Sequence, residues 1–264
     1  MDASSTDTVL SVPIDQCRNR TYFCFLKSIK RWPSVNMFCG TRERALMINT
    51  IYGLAKTSPL LAPIYFHAVW MMDMTMNKIP SAKGGILALT CFVLASKYEE
   101  ESHIVKAQVE ELLELAKLWK AEKRIWRTLD YNLTCPNLMF ILRYISWEAD
   151  DGDRLTRSLA KVLLCCAVFH KEYVMFTPLQ LVTASLYLAK SMRKMDPRCI
   201  FNVAETSLES ILPAVHLIKH TVIGVEPMNI CGPLCGDDII CDGINVVSFI
   251  KIHLAEVSDV IDSV

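Results

Sequence analysis

The chain has 264 residues, 52% of them hydrophobic and 21% charged, with 28 basic residues against 28 acidic ones. So large an apolar share builds a packed core and excludes a disordered chain. The zero formal charge excludes a protein that holds nucleic acid broadly through phosphate attraction.

In chain order, residues 1–15 are Ser/Thr-rich and read as a loose N-terminus. A short helix is predicted from Cys17 to Arg31, with Tyr22, Phe25, Leu26 and Ile29 on one face, before Pro33 and Gly40 punctuate the chain. Apolar residues at helical spacing predict further helices near 41–57, 60–77, 82–97, 104–116 and 118–129, closed by Pro136. A second group is predicted near 137–148, 154–171, 178–193, 198–204 and 207–223, broken by Asp150-Asp151-Gly152-Asp153, Pro178 and Pro197. The expected architecture is all-α: one unit over 16–135 with its preceding helix, a second over 136–223, and a tail over 224–264. The runs Leu87–Lys97 and Leu181–Lys190 are both apolar helices ending in Leu-Ala and a lysine, which makes the two groups a distant internal repeat. Neither run reaches the ~20 apolar residues of a membrane span, so each is a buried central helix.

Residues 95–100, Ala-Ser-Lys-Tyr-Glu-Glu, mark where the first central helix emerges with its charges. This ending resembles the third helix of the cyclin box. Arg44-Ala45-Leu46-Met47 resembles the Met-Arg-Ala-Ile-Leu segment of the first box helix, and Met71-Met72-Asp73 the apolar pair and Asp of the second. The segment from Glu122 to Leu133 resembles the fifth helix and its exit, while Phe176–Ala189 and Ser207–Pro213 resemble segments of the second box. Tyr22–Lys27 resembles the helix that precedes the first box. The resemblance runs over roughly 18–223 and is similar in order as well as in kind to the cyclin family.

That resemblance implies two tandem five-helix boxes and a non-catalytic subunit that binds and activates a cyclin-dependent kinase, or alternatively a cyclin-fold regulator of transcription acting through a transcriptional kinase or coactivators. By motif alignment, Lys97 and Glu122 would meet the backbone of the kinase's mobile helix, with Glu100, Leu94, Trp126, Tyr131 and Leu133 around them. Charge-assisted hydrogen bonds of this kind are the stronger ones. Leu94 and Trp126 read as core rather than contact. Substrate-recruiting cyclins use an apolar patch that falls here on Arg44, Leu46 and Met47, but Glu43 stands where a Met is usual and Thr50 where a Trp is. A carboxylate in such a groove opposes an apolar peptide. Met74 also replaces the usual Arg after Asp73. Stripped forms of this kind resemble virus-encoded cyclins, those of fish retroviruses among them.

The tail carries Cys231, Cys235 and Cys241 without zinc-site spacing or a fourth ligand, so no metal is expected. Beyond them Phe249, Ile250, Leu254 and Val257 fall at helical spacing opposite acidic residues. Such a segment either folds back on the second unit or docks in the groove of a transcriptional coactivator. Cysteines inside apolar runs (Cys91, Cys165, Cys166) behave as small hydrophobes, and Met1 to Val12 lacks the basic and apolar regions of a signal peptide. A nuclear or cytoplasmic setting is expected. No phosphate-loop, dinucleotide-binding, HExxH or GxSxG pattern is present, and the six histidines are scattered, so neither an enzyme nor a cofactor is expected.

Overall fold

The computed structural model describes residues 41–55, 62–79, 84–99, 115–150, 152–224 and 240–261. The helices expected near 17–31 and 104–116, Glu100, Cys231 and Cys235 lie outside them, apart from the last residues of the second helix.

The described chain is helical almost throughout. Helices α1 (Thr41–Ala55), α2 (Ala62–Lys78), α3 (Gly85–Tyr98) and α4 (Leu115–Thr128) come first. They are followed by α5 (Leu138–Asp150), α6 (Arg154–Phe169), a 3-10 turn (Lys171–Met175), α7 (Pro178–Met192), α8 (Arg198–Ala204) and α9 (Leu208–Gly224). A two-residue antiparallel ladder, β1 (Ile240–Cys241) with β2 (Ile244–Asn245), leads into α10 (Val246–Ile261).

Helix α3 is the hub of the first group because every residue from Leu87 to Ser96 is buried. It packs against α1, α2 and α4. Its run of Leu, Ala, Cys and Phe contributes roughly 1.5–3 kcal/mol for each large apolar side chain removed from water. Helix α7 has the same place in the second group, with α5, α6, α8, α9 and α10 around it. Its start is fixed by a capping box, in which Thr177 accepts from the Gln180 amide and Gln180 returns a bond to Thr177, with Pro178 at the first helical position. The Gln180 side-chain amide also donates to the Ser210 carbonyl at 3.0 Å, tying α7 to α9.

The turn into α6 shows sequence acting on backbone. Gly152 has φ +72°, and a Cβ there would meet the Trp147 ring at 2.9 Å, so only glycine fits. Asp153 then caps α6, accepting from the Thr156 amide at 2.8 Å and pairing with Arg193. Burial pushes the Asp153 carboxyl up, but the bonds from Thr156 and the Arg193 charge outweigh it and hold it below its ordinary value. A depressed folded value stabilises the protein above the ordinary carboxylate range, and this is lost as pH falls through the folded value. Asp153→Ala is therefore expected to cost about 1 kcal/mol near neutral pH. In urea titrations its deficit should shrink as the acid limb is reached; an unchanged deficit there would assign the loss to something other than this carboxylate.

The ladder before α10 was not expected from the sequence. Its turn is Asp242-Gly243, with φ 53° and 78°, the left-handed pair a two-residue hairpin loop requires.

Candidate functional site: the Lys97–Glu122 face

Lys97 and Glu122 come from separate helices and meet. Lys97 lies in the last turn of α3, where a cation is favoured by the helix carbonyls. Its Nζ donates to Glu122 Oε1 of α4 at 2.6 Å. The lysine is half exposed and the glutamate nearly buried, so the pair sits at the edge of the core. An ion pair this exposed is worth about 0–1 kcal/mol, so redirecting either group to a partner costs little.

Aromatic rings rim the pair. Helix α4 ends in a Schellman motif: the Tyr131 amide bonds the Trp126 carbonyl at 2.8 Å and the Asp130 amide bonds the Arg127 carbonyl at 3.2 Å. Asp130 and Tyr131 both take the left-handed conformation, φ 53° and 57°. The motif brings its two flanking residues together, and the Trp126 and Tyr131 rings meet edge to face at 6.2 Å. Both remain exposed, Trp126 at 43% and Tyr131 at 67%. Lys78 steadies the turn with an ion pair to Asp130 at 2.6 Å. Leu133 is half-buried, whereas Leu94 is core rather than contact. Two further exposed rings, Tyr98 beside Lys97 and Trp119 under the Lys123 ammonium at 4.0 Å, were missed by the sequence reading. Their spacing one residue past Lys97 and three before Glu122 was the available signal.

Beneath this face lies a polar cluster. His67 of α2 is 1% exposed. Its Nε2 is 2.8 Å from the Leu133 carbonyl and its Nδ1 3.0 Å from Glu99 Oε1. Asn137, which caps α5 by accepting from the Met139 amide, donates to the same Glu99 oxygen at 3.1 Å and to the Pro63 carbonyl at 3.3 Å. The Tyr98 ring meets His67 edge to face at 4.8 Å. The sequence signal for His67 was a lone titratable ring in the buried run Ile64–Met72.

The substrate-patch expectation is corrected. Arg44 and Met47 are each 2% exposed, so neither can receive a peptide, while Leu46 is 59% exposed. Arg44 is instead an interior link. It pairs twice with Asp73 at 2.9 Å and donates to the Val168 and Phe169 carbonyls at 2.8 Å. Tyr173 completes the cluster, its hydroxyl donating to Asp73 at 2.9 Å. Burial works against the Arg44 charge, but the Asp73 carboxylate outweighs it and holds the guanidinium above its usual range. Burial and Asp73 together keep the Tyr173 phenol well above its own.

Of the two outcomes expected for the tail, the structure has the helix folded back on the second group. Helix α10 packs on α6 and α7, with Ile250, Leu254 and Val257 buried and Phe249 half-buried against the core. The apolar face is already used inside the molecule. Among the described residues no group of three or more His, Cys, Asp or Glu could hold a metal, and no helix is long and apolar enough to cross a membrane.

Known proteins agree with this architecture. The chain is 28% identical over 191 residues to G2/mitotic-specific cyclin-2 of Saccharomyces cerevisiae, covering 69% of this chain and 39% of that protein. It is 31% identical over 165 residues to G2/mitotic-specific cyclin cdc13 of Schizosaccharomyces pombe, covering 59% and 33%. The matched segments thus span well under half the length of these relatives. In fold it is similar to a viral cyclin from herpesvirus saimiri, with a TM-score of 0.61 at 12% identity, covering 82% of this chain and 98% of that one. The family model for the cyclin N-terminal domain matches residues 20–134, which take in α1 to α4 and the Lys97–Glu122 pair, so this part of the chain is similar to the cyclin N-terminal domain.

Proposed function

We propose that this protein is a regulatory subunit that binds and activates a cyclin-dependent kinase through the Lys97–Glu122 face. The observation that carries the reading is the 2.6 Å pairing of a half-exposed lysine with a shielded glutamate beside exposed Trp126 and Tyr131. A helix of the kinase laid across this face would offer carbonyls to the Lys97 ammonium and amides to the Glu122 carboxylate. Aromatic anchors of this type dominate protein interfaces. Fixing that helix brings the kinase's own glutamate onto its phosphate-binding lysine, a requirement for phosphoryl transfer. This subunit supplies no reacting group. In this reading α1–α4 with the segment before them form one cyclin box and α5–α9 a second. The relatives named as mitotic cyclins support a role in cell-cycle progression, with the protein acting in the nucleus or cytoplasm.

Affinity capture from cell extract tests it. Lys97→Ala with Glu122→Ala is expected to lose most of the co-purifying kinase while helical circular dichroism is unchanged. Equal recovery by variant and wild type would overturn the assignment.

A further inference from the structure

The outer side of α4 is a ridge of cations. Lys120, Lys123, Arg124 and Arg127 are all exposed, and they fall at i, i+3, i+4 and i+7, the spacing of a single helix face. None of the four has a carboxylate partner among the described residues. The one acidic residue of the helix, Glu122, is nearly buried and already paired with Lys97. Like charges three and four residues apart repel and destabilise a helix. Lys120 meets Lys123 and Arg124 in this way, and Arg127 meets the same two, so the helix is folded against its own charge.

A second row lies beside the first. Trp119, Lys123 and Trp126 follow at i, i+4 and i+7, with Trp119 63% and Trp126 43% exposed. The Lys123 ammonium stands 4.0 Å over the Trp119 ring. Exposed indoles next to arginines are the side chains that interfaces favour. We propose that this ridge is a docking surface for a short acidic segment of a partner protein, its carboxylates on the four cations and an apolar side chain between the two tryptophans. From Lys120 to Arg127 the helix axis runs about 10 Å at 1.5 Å per residue, the reach of about three extended residues. Charge complementarity selects the occupant. An apolar segment would leave the cations repelling one another, and a chain of zero net charge offers no wider field to hold nucleic acid.

The ridge stands apart from the kinase-docking reading and does not rest on it. Lys120 and Arg124 are each two positions from Glu122, a separation at which helix side chains do not face each other. They point away from the Lys97–Glu122 pair, and Trp126 is the one residue the two surfaces share. Single exposed ion pairs contribute little. Here each arriving carboxylate also relieves the repulsion between neighbouring cations, so the four act together. Such contacts are screened by salt, over about 10 Å at 0.1 M and about 3 Å at 1 M, which makes binding strongly dependent on ionic strength.

Fluorescence anisotropy of a labelled peptide of Glu-Glu-Phe repeats, titrated with the full chain, tests the ridge. The peptide should bind at low salt and weaken steadily as salt is added, while its Gln-Gln-Phe counterpart should not bind. Lys120→Gln with Arg124→Gln should weaken binding about tenfold, the loss of two exposed ion pairs, with helical circular dichroism unchanged. Trp119→Ala keeps all four cations and should weaken it too. Lys194→Gln with Lys251→Gln removes the same charge from exposed positions elsewhere and should bind as wild type does. An equal loss from that control pair, no binding of the acidic peptide at low salt, or tighter binding of a single-stranded RNA would overturn the proposal. Lys97→Ala with Glu122→Ala should keep the peptide while losing the kinase. If no kinase is captured by wild type and the peptide still binds through Lys120 and Arg124, the docking reading fails and the ridge stands.

Discussion

Arg44→Met is expected to lower the free energy of unfolding by about 3–5 kcal/mol, the cost of leaving a buried charge without its partner. The substitution keeps most of the volume and removes the charge. Asp73, 1% exposed, would be left with the Tyr173 hydroxyl as its donor in the cluster. The loss extends further, because Arg44 also serves a helix that is distant in sequence. Val168 and Phe169 are the last residues of α6, whose terminal carbonyls have no partner within the helix. A cation there is favoured by the aligned peptide dipoles as well as by the bonds themselves. One arginine on α1 thus closes the end of a helix 125 residues away while pairing with α2. Urea unfolding should show the loss directly, and against a total of roughly 5–15 kcal/mol it is a large fraction. Adding Asp73→Leu should recover part of it, since the orphaned carboxylate goes, but not all, since the two carbonyls stay unmet. A midpoint equal to wild type would mean that water satisfies Asp73 and that the cluster contributes nothing.

The same arginine shows where sequence reading stops. Periodicity placed α1 at 41–57, close to the observed Thr41–Ala55, because apolar spacing is a local property. It could not tell that Arg44 turns inward, since that depends on Asp73 and the end of α6 arriving at the same place. Lys97 and Glu122 were legible for the opposite reason. Lys97 sits at a recognisable helix end and Glu122 opens a recognisable segment in mid-helix, and the motif around each fixes its position without any long-range information. The rings beside them were half legible: Trp126 and Tyr131 were named, but their contact follows from a helix-terminating turn in which two non-glycine residues go left-handed, something composition does not announce. The tail is the clearest case. Its helical spacing is legible from Phe249 to Val257, inside the observed Val246–Ile261, but whether an amphipathic helix docks on its own chain or on another is decided by the uncovered surface it meets, here α6 and α7. His67 was passed over because a lone buried histidine draws its meaning from what faces its two nitrogens, and those groups lie 32 and 66 residues away.

The sharpest outcome concerns the polarity of the docking pair. Exchanging the two charges, Lys97→Glu with Glu122→Lys, is expected to leave stability within about 1 kcal/mol of wild type, because the internal ion pair is rebuilt with its ends reversed and such pairs contribute little. The lysine now rooted at the more shielded position can lay its methylenes along Trp126 and carry its charge to the surface. Kinase capture should nevertheless fall by more than a hundredfold. Partner carbonyls that met an ammonium would face a carboxylate, and partner amides that met a carboxylate would face an ammonium. Hydrogen bonds to charged groups are each worth about 1.5–3 kcal/mol, so losing two removes at least about 3 kcal/mol, and every 1.4 kcal/mol is about tenfold in affinity. The swap separates two explanations that the alanine variants leave joined. If the pair only braces α3 against α4, the exchanged protein braces them equally well and should bind as wild type does. If the pair reads the partner's backbone, it keeps its fold and loses its kinase, and titration of purified subunits by calorimetry would tell the two apart in one experiment.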